Sequence, residues 1–401
     1  MAITGGRVFP VSGEPIDNGT VLIRDGRIVA VGQNVTIPAN AERVDATGKW
    51  VTPGLVNAST QLGLVEIGQV ADTRQATARG DGDAIAAAFT VWDGLNPNTV
   101  LLEPARNEGV TTVVVVPQGG LISGQAAIID LVDGTVSDMI VRAPAAMVGQ
   151  VGSPGQANLG ARGELMVRLR ELIEDTRAYA RRKSEFERAE TRPFVASRLD
   201  LEAMIPVVQG RLPLLVRADM ARDITATLRL ARENELRIII AGGAEAWMVA
   251  DQLAAARVPV MTGALDNIPS SFSTLGSRQD NAALLRRAGV EVIIIGSGGP
   301  ETFNIRNVKQ EAGNAVAYGL SWNDALRAVT LAPAQALGAA DRVGSLAAGR
   351  EANVVVWSGD PFELSTRAEH VFVRGRRLAT PSRQDLLTER YKTLPPKYSS
   401  P

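Results

Sequence analysis

Pro53-Gly54-Leu55-Val56-Asn57-Ala58-Ser59-Thr60-Gln61-Leu62-Gly63-Leu64 marks the point at which the character of the chain changes. Upstream, residues 1–52 alternate apolar and polar side chains and are cut by turn signals at Gly5-Gly6, Asn18-Gly19, Asp25-Gly26, Gly32-Gln33 and Thr47-Gly48, the pattern of a small antiparallel β unit. Downstream come short runs of β-branched and other apolar residues separated by helical stretches: Thr112 to Val116, Ala127 to Leu131, Leu214 to Val216, Arg237 to Ala241, Val258 to Thr262 and Val290 to Gly296. Strands apolar on both faces and alternating with helices specify a sheet covered by helices. Over residues 53–340 they predict an α/β fold, a (β/α)8 TIM barrel.

Short alternating strands return after Val343, at Ala352 to Trp357, His370 to Val373 and Arg376 to Leu378. A β segment at each end of one barrel predicts that residues 1–52 and 341–383 join into a composite β-sandwich, leaving 384–401 as an exposed tail that frays or packs on a partner subunit. A helix is expected from the stripe Leu165, Leu169, Leu172 and Ile173; from Glu174 to Glu190 charge dominates and the stripe thins to Tyr179 and Phe186. That extension reads as a solvated face or as a subunit contact.

Composition removes several function classes. The 401 residues, 45% apolar, supply a large core, and Lys+Arg of 42 against Asp+Glu of 43 leaves no global field for nucleic acid or an anionic membrane. Aromatic content of 4% is too low for base-stacking platforms. With no cysteine, disulfides, zinc thiolates and thiol nucleophiles are absent together. The apolar runs Val110 to Val116 and Val292 to Ile295 are far too short to span a bilayer. The compartment stays open: cytoplasmic, or periplasmic or secreted had a signal peptide been removed before Ala2.

Four stretches carry a resemblance: Gly19 to Ile28; Pro53-Gly54-Leu55-Val56-Asn57; Gly109-Val110-Thr111-Thr112; and the closing run Ala325 to Ala334 with Val343-Gly344-Ser345-Leu346 and Gly349-Arg350-Glu351-Ala352-Asn353. In this order they resemble the amidohydrolase superfamily, specifically its imidazolonepropionase-like branch. The resemblance implies metal-assisted hydrolysis at the carboxyl ends of barrel strands, where a bound ion lowers the pKa of water. The implied ligands are His-x-His after strand 1, a carboxylated lysine or glutamate after strand 4, single histidines after strands 5 and 6, and a strand-8 aspartate.

Aligned on that pattern, each slot has lost its ligand. Ser59 and Gln61 stand in place of the two histidines, Arg217 in the strand-5 slot, Gly242 in the strand-6 slot, and Ser297 or Gly298 in place of the aspartate. Lysine occurs only at 49, 183, 309, 392 and 397, which excludes a carboxylated lysine on a mid-barrel strand. The one histidine in the chain, His370, falls in an alternating Ala-Glu-His-Val-Phe-Val strand and reads as an ordinary strand residue.

Asp72, Asp81, Asp83, Asp219 and Asp266 could offer oxygen ligands to a hard cation but lack a calcium-loop spacing and read as loop acids. Ser123 and Ser297 have no base nearby to activate them. Glu66, Asp219 and Glu245 are carboxylates for acid-base work, or helix caps and arginine partners. Gly296-Ser297-Gly298-Gly299 with Arg217 makes an anion pocket or a tight turn, and in the loop Pro117 to Gln125 the amides of Gln118 and Gln125 are ligand-binding candidates beside Gln61, Arg217, Asp219 and Ser297.

The expectation is an amidohydrolase-like protein without the catalytic metal centre, needing no cofactor: a non-hydrolytic, ligand-binding or partner-stabilising pseudoenzyme. Its ligand is a small anion or cyclic amide. Its partner is a second copy or a metal-competent relative, not nucleic acid. The alternatives are a metal-independent hydrolase of carbon-nitrogen bonds in cyclic amides, and a metallohydrolase completed by ligands from another chain.

Overall fold

The computed structural model describes residues 1–78, 84–152, 160–265, 268–296, 302–378 and 383–392. Its strands are β1 (Ala2–Val8), β2 (Ile16–Arg24), β3 (Arg27–Gly32), β4 (Arg43–Asp45), β5 (Trp50–Pro53), β6 (Leu55–Thr60), β7 (Val110–Val115), β8 (Ile122–Asp130), β9 (Ile140–Gln150), β10 (Leu214–Ala218), β11 (Ile238–Gly242), β12 (Val260–Thr262), β13 (Val292–Ile294), β14 (Val354–Trp357), β15 (Ala368–Val373) and β16 (Arg376–Arg377). They form two eight-stranded sheets.

The first sheet runs β6 to β13 in sequence order, and β13 returns beside β6, so the barrel is nearly closed. Its strands sort their side chains with period 2 into two apolar clusters. Ala58, Val114, Ala126, Ile128, Val148, Leu215, Ile239, Met261 and Ile293 fill the interior, while Val113, Ile129, Met147, Leu214, Ile240, Val260 and Val292 lie under the helices. This is why the sequence shows runs rather than alternation: both faces are buried.

Two details differ from the regular βα repeat. No helix separates β7 from β8, and β8 runs antiparallel to both neighbours, pairing Val113 with Ile129 and Ala126 with Ala146. The loop Val116 to Leu121 is simply too short for a crossover. The strand β9 was missed from the runs because Arg142, Pro144 and Gly149 interrupt its apolar pattern.

The second sheet combines both ends of the chain in the order β16-β15-β14-β5-β1-β2-β3, with β4 also on β1. The join is β5 against β14, antiparallel, with Thr52 opposite Val355. Gly54 and Gly109 explain the seam between this sheet and the barrel. A Cβ on Gly54 would lie 2.0 Å from the Thr111 hydroxyl, and one on Gly109, at φ +84°, would lie 2.2 Å from the Trp357 ring. The fully buried Trp357 indole donates to the Thr52 hydroxyl at 2.8 Å. Glycine is required at both positions by close approach, and at Gly109 also by backbone conformation.

The helix Arg162–Arg181 buries Leu165, Leu169, Leu172 and Ile173 as the stripe predicts, and also Asp175, Thr176 and Tyr179. Its charged extension is therefore partly covered by its own chain. Tyr179 packs edge-on against Phe186, which stacks on Phe194, and Asp175 takes the Arg192 guanidinium and the Val195 N–H. Of the expected tail, residues 383–391 form a helix; residues 393–401 lie outside the described residues.

Candidate functional site at the carboxyl ends of the barrel strands

The parallel strands end at one mouth. Arg217 on β10 shares the interior face with Leu215 and is half-buried. Two residues on, Asp219 is buried. Burial pushes its carboxyl above the ordinary carboxylate range, while the Arg217 guanidinium and the Ala244 N–H pull the other way.

Gly242, at the end of β11, explains where this carboxyl sits. It has φ +91°, and a Cβ there would lie 2.3 Å from Asp219 Oδ1. The slot in which the resemblance implies a histidine thus has no room for any side chain while Asp219 is in place. The sequence pairs Asp219 with Arg217 but leaves Gly242 apart; the structure brings Gly242 against Asp219.

Across the mouth, Ser59 near the end of β6 and Gln61 just after it are both buried. Thr302 Oγ1 donates to Gln61 Oε1 at the long limit of 3.5 Å, and Gln61 Nε2 is a buried donor without a hydrogen-bond partner among the described residues. Such a group costs on the order of 1–3 kcal/mol unless something accepts from it. Asn57 ties β6 to the segment after β13 by donating to the Ile305 carbonyl at 3.1 Å.

The glutamines of the Pro117 to Gln125 loop divide. Gln118 is exposed. Gln125 precedes the interior residue Ala126 on β8, so its side chain takes the opposite face and donates to the Ala87 carbonyl at 3.1 Å. The residue that reaches into this region is Gln150, at the end of β9 and opposite Arg217. It follows Ala146 and Val148 on the interior face and donates to the Gly120 carbonyl at 2.7 Å. Gln150 occupies the strand-4 slot, and it was missed because its strand was missed. Glu311 was missed too: fully buried, it accepts from the N–H groups of Ala264 and Leu265 at 2.7 and 2.6 Å and anchors the loop after β12.

The remaining candidates fall elsewhere. Glu245 accepts from the Ala221 N–H at 2.9 Å, at the start of the helix Ala221–Glu233. Glu66 accepts from Asn96 at 3.0 Å, and Asp72 is exposed in a single turn. Ser123 is buried on β8. Asp81, Asp83, Asp266, Ser297 and Gly298 lie outside the described residues.

Two hydroxyl and amide side chains at β6, an amide at β9, a guanidinium at β10 and a glycine at β11 do not fit a transition-metal ion, which takes imidazole, carboxylate or thiolate donors. Among the described residues no group of three or more His, Cys, Asp or Glu side chains converges as metal ligands would.

Residues 218–378 match the amidohydrolase family, the stretch of the chain that holds β11 to β16. An amidohydrolase from Thermotoga maritima superposes with a TM-score of 0.85 at 28% identity, covering 94% of this chain and 99% of that one. The chain belongs to the amidohydrolase superfamily. Within that superfamily it is 26% identical over 367 residues to the imidazolonepropionase of Acidiphilium cryptum, covering 87% of this chain and 89% of that protein. It is 24% identical over 393 residues to amidohydrolase tasK of Hapsidospora irregularis, covering 89% of this chain but only 39% of that protein's length. The amidohydrolase architecture accounts for the composite sheet and for the position of the mouth.

Proposed function

We propose that this chain is an amidohydrolase-type pseudoenzyme: a non-hydrolytic protein that holds a small ligand at the barrel mouth or stabilises a partner. One observation carries the reading. The only histidine of the 401 residues is His370, and it lies in β15 of the end sheet with its Nδ1 2.7 Å from an Arg377 nitrogen. With no imidazole at the mouth and no lysine on β9, the donors that hold a hydrolytic metal in this superfamily are not supplied by this chain. We derive no hydrolytic step through a metal.

Arg217, Asp219, Gln61 and Gln150 support ligand binding, since they offer donors and an acceptor around one opening. Gln61 Nε2 favours a ligand that presents an acceptor oxygen, as a small anion or a cyclic amide does. A partner is supported by Met248, Leu265, Ile268, Phe272 and Leu275, five exposed apolar side chains on the segments after β11 and β12, since apolar side chains gathered on one surface mark contact sites. A second copy or a metal-competent relative is the proposed occupant.

A second reading is favoured by the Asp219 carboxyl, whose burial raises its affinity for a proton beside Arg217. In that reading Arg217 polarises the carbonyl of a cyclic amide and Asp219 moves a proton, without metal. Elemental analysis and turnover assays separate the two. The pseudoenzyme reading expects zinc, iron, manganese and nickel far below one equivalent after chelation, and no turnover of cyclic amides with chelator present. A chelation-resistant equivalent of metal refutes it. Chelator-resistant turnover that Asp219→Asn abolishes establishes the second reading instead.

A further inference from the structure

At the foot of the barrel, away from the mouth, two carboxyl groups are buried against each other in the seam between the barrel and the end sheet. Asp130 ends β8 and is fully buried. Its Oδ1 accepts from the Thr112 hydroxyl and from Asn353 Nδ2, each at 2.8 Å, and its Oδ2 from Arg374 Nε at 2.7 Å. Glu351, just before β14, is nearly as buried. Its Oε1 accepts from Arg342, at 2.8 Å from Nε, while Oε2 has no hydrogen-bond donor and lies 3.4 Å from Arg374 Nε.

Both acids therefore converge on one guanidinium nitrogen, and one buried carboxylate oxygen is left without a donor. A proton on Asp130 supplies it. We propose that Asp130 and Glu351 share one proton, and that this buried proton fastens the end sheet to the barrel.

Three observations agree. Asp130 belongs to the barrel, whereas Glu351, Asn353 and Arg374 belong to the sheet side, so its contacts with these three cross the seam, while that with Thr112 stays within the barrel. Burial, then the hydrogen bond and charge of Glu351, push the Asp130 carboxyl up to about 7, against the pull of Arg374 and Thr112. For Glu351, burial works upward, but the Asp130 hydrogen bond and Arg342 outweigh it and hold it below the ordinary range. One acid kept protonated and its neighbour kept ionised is the pattern of a shared proton. The charged groups facing the pair are Arg342 and Arg374. Arg374 is itself fixed by donating to the Asp138 carbonyl at 2.6 Å.

The sign follows from linkage. A carboxyl whose folded pKa is raised from 3.8 to about 7 contributes stability that is fully present below the unfolded value and lost as pH rises through the folded one. His370, held below its usual range by burial and Arg377, titrates in the same region with opposite sign. It does so equally in a variant at Asp130.

The test compares melting temperature across pH for the full chain and for Asp130→Asn, whose amide cannot lose the proton. The wild-type advantage is expected to shrink steadily from about pH 4 to about pH 7 and to level off above that. A difference constant across that range overturns the proposal. Should Asp130→Asn not fold, infrared spectroscopy of the wild type decides. A buried carboxylic acid C=O band present near pH 6 and lost by about pH 9 is expected, and its absence at both pH values overturns the proposal.

Discussion

Gly242→Ala is the perturbation that most directly tests the geometry of the mouth. Two costs are written into that position. The backbone sits at φ +91°, where an L side chain costs roughly 1–2 kcal/mol. The new methyl group would also lie 2.3 Å from Asp219 Oδ1 and 3.1 Å from its Cγ. The carboxyl must therefore move, giving up the Ala244 N–H while remaining in a buried place. Overpacking of this kind costs about 1–3 kcal/mol, so the total expected loss is about 2–5 kcal/mol.

A double-mutant cycle in urea unfolding separates the parts. Asp219→Ala removes the atoms that collide, so Gly242→Ala in that background should retain only the backbone cost of roughly 1–2 kcal/mol. The coupling energy between the sites should then be about 1–3 kcal/mol in the relieving direction. Additive losses with coupling below about 0.5 kcal/mol would show that Asp219 does not occupy the space beside Gly242. The stated packing of the strand-6 slot would then be wrong.

Gly109→Ala places a methyl 2.2 Å from the fully buried Trp357 ring at φ +84°, so urea unfolding should show a loss of about 2–5 kcal/mol; a loss under about 1 kcal/mol contradicts the seam. Asp175→Ala frees the Arg192 guanidinium and the Val195 N–H, and hydrogen exchange at residues 192–195 should speed up at least tenfold while β10 and β11 stay protected. Zinc at about 100 micromolar should leave the melting temperature of the chelated protein unchanged. A site with a micromolar dissociation constant would instead add about 2.7 kcal/mol of stability at that concentration.

The barrel was legible because its strands are buried twice over. Val113 faces the helices and Val114 the interior, and Ile238 and Ile239 divide the same way, so the sequence shows continuous apolar runs bounded by Gly and Pro. The composite sheet was legible from turn chemistry at both ends. The antiparallel β8 was not, because a run such as Ala127 to Leu131 carries no sign of direction. Nor was β9, where Pro144 and Gly149 break the pattern and only pairing with β8 and β10 makes a strand of it.

The candidate site was legible as a set of positions and illegible as an arrangement. The resemblance implies ligand slots at Ser59, Gln61, Arg217 and Gly242, but says nothing about what packs beside those residues. The structure supplies that for the strand-6 slot: the space beside Gly242 is taken by Asp219, a residue two positions along from Arg217 on the neighbouring strand. A histidine placed at position 242 would therefore meet Asp219 first, so a metal site could not be built at this slot by that one substitution. The same reasoning separates the mouth from the foot of the barrel. At the mouth, buried Gln61 Nε2 lacks an acceptor, a cost that a bound molecule can remove. At the seam, Glu351 Oε2 lacks a donor, a cost that one proton on Asp130 removes without any ligand. Two unmatched polar atoms of opposite sense thus point to two different kinds of occupant.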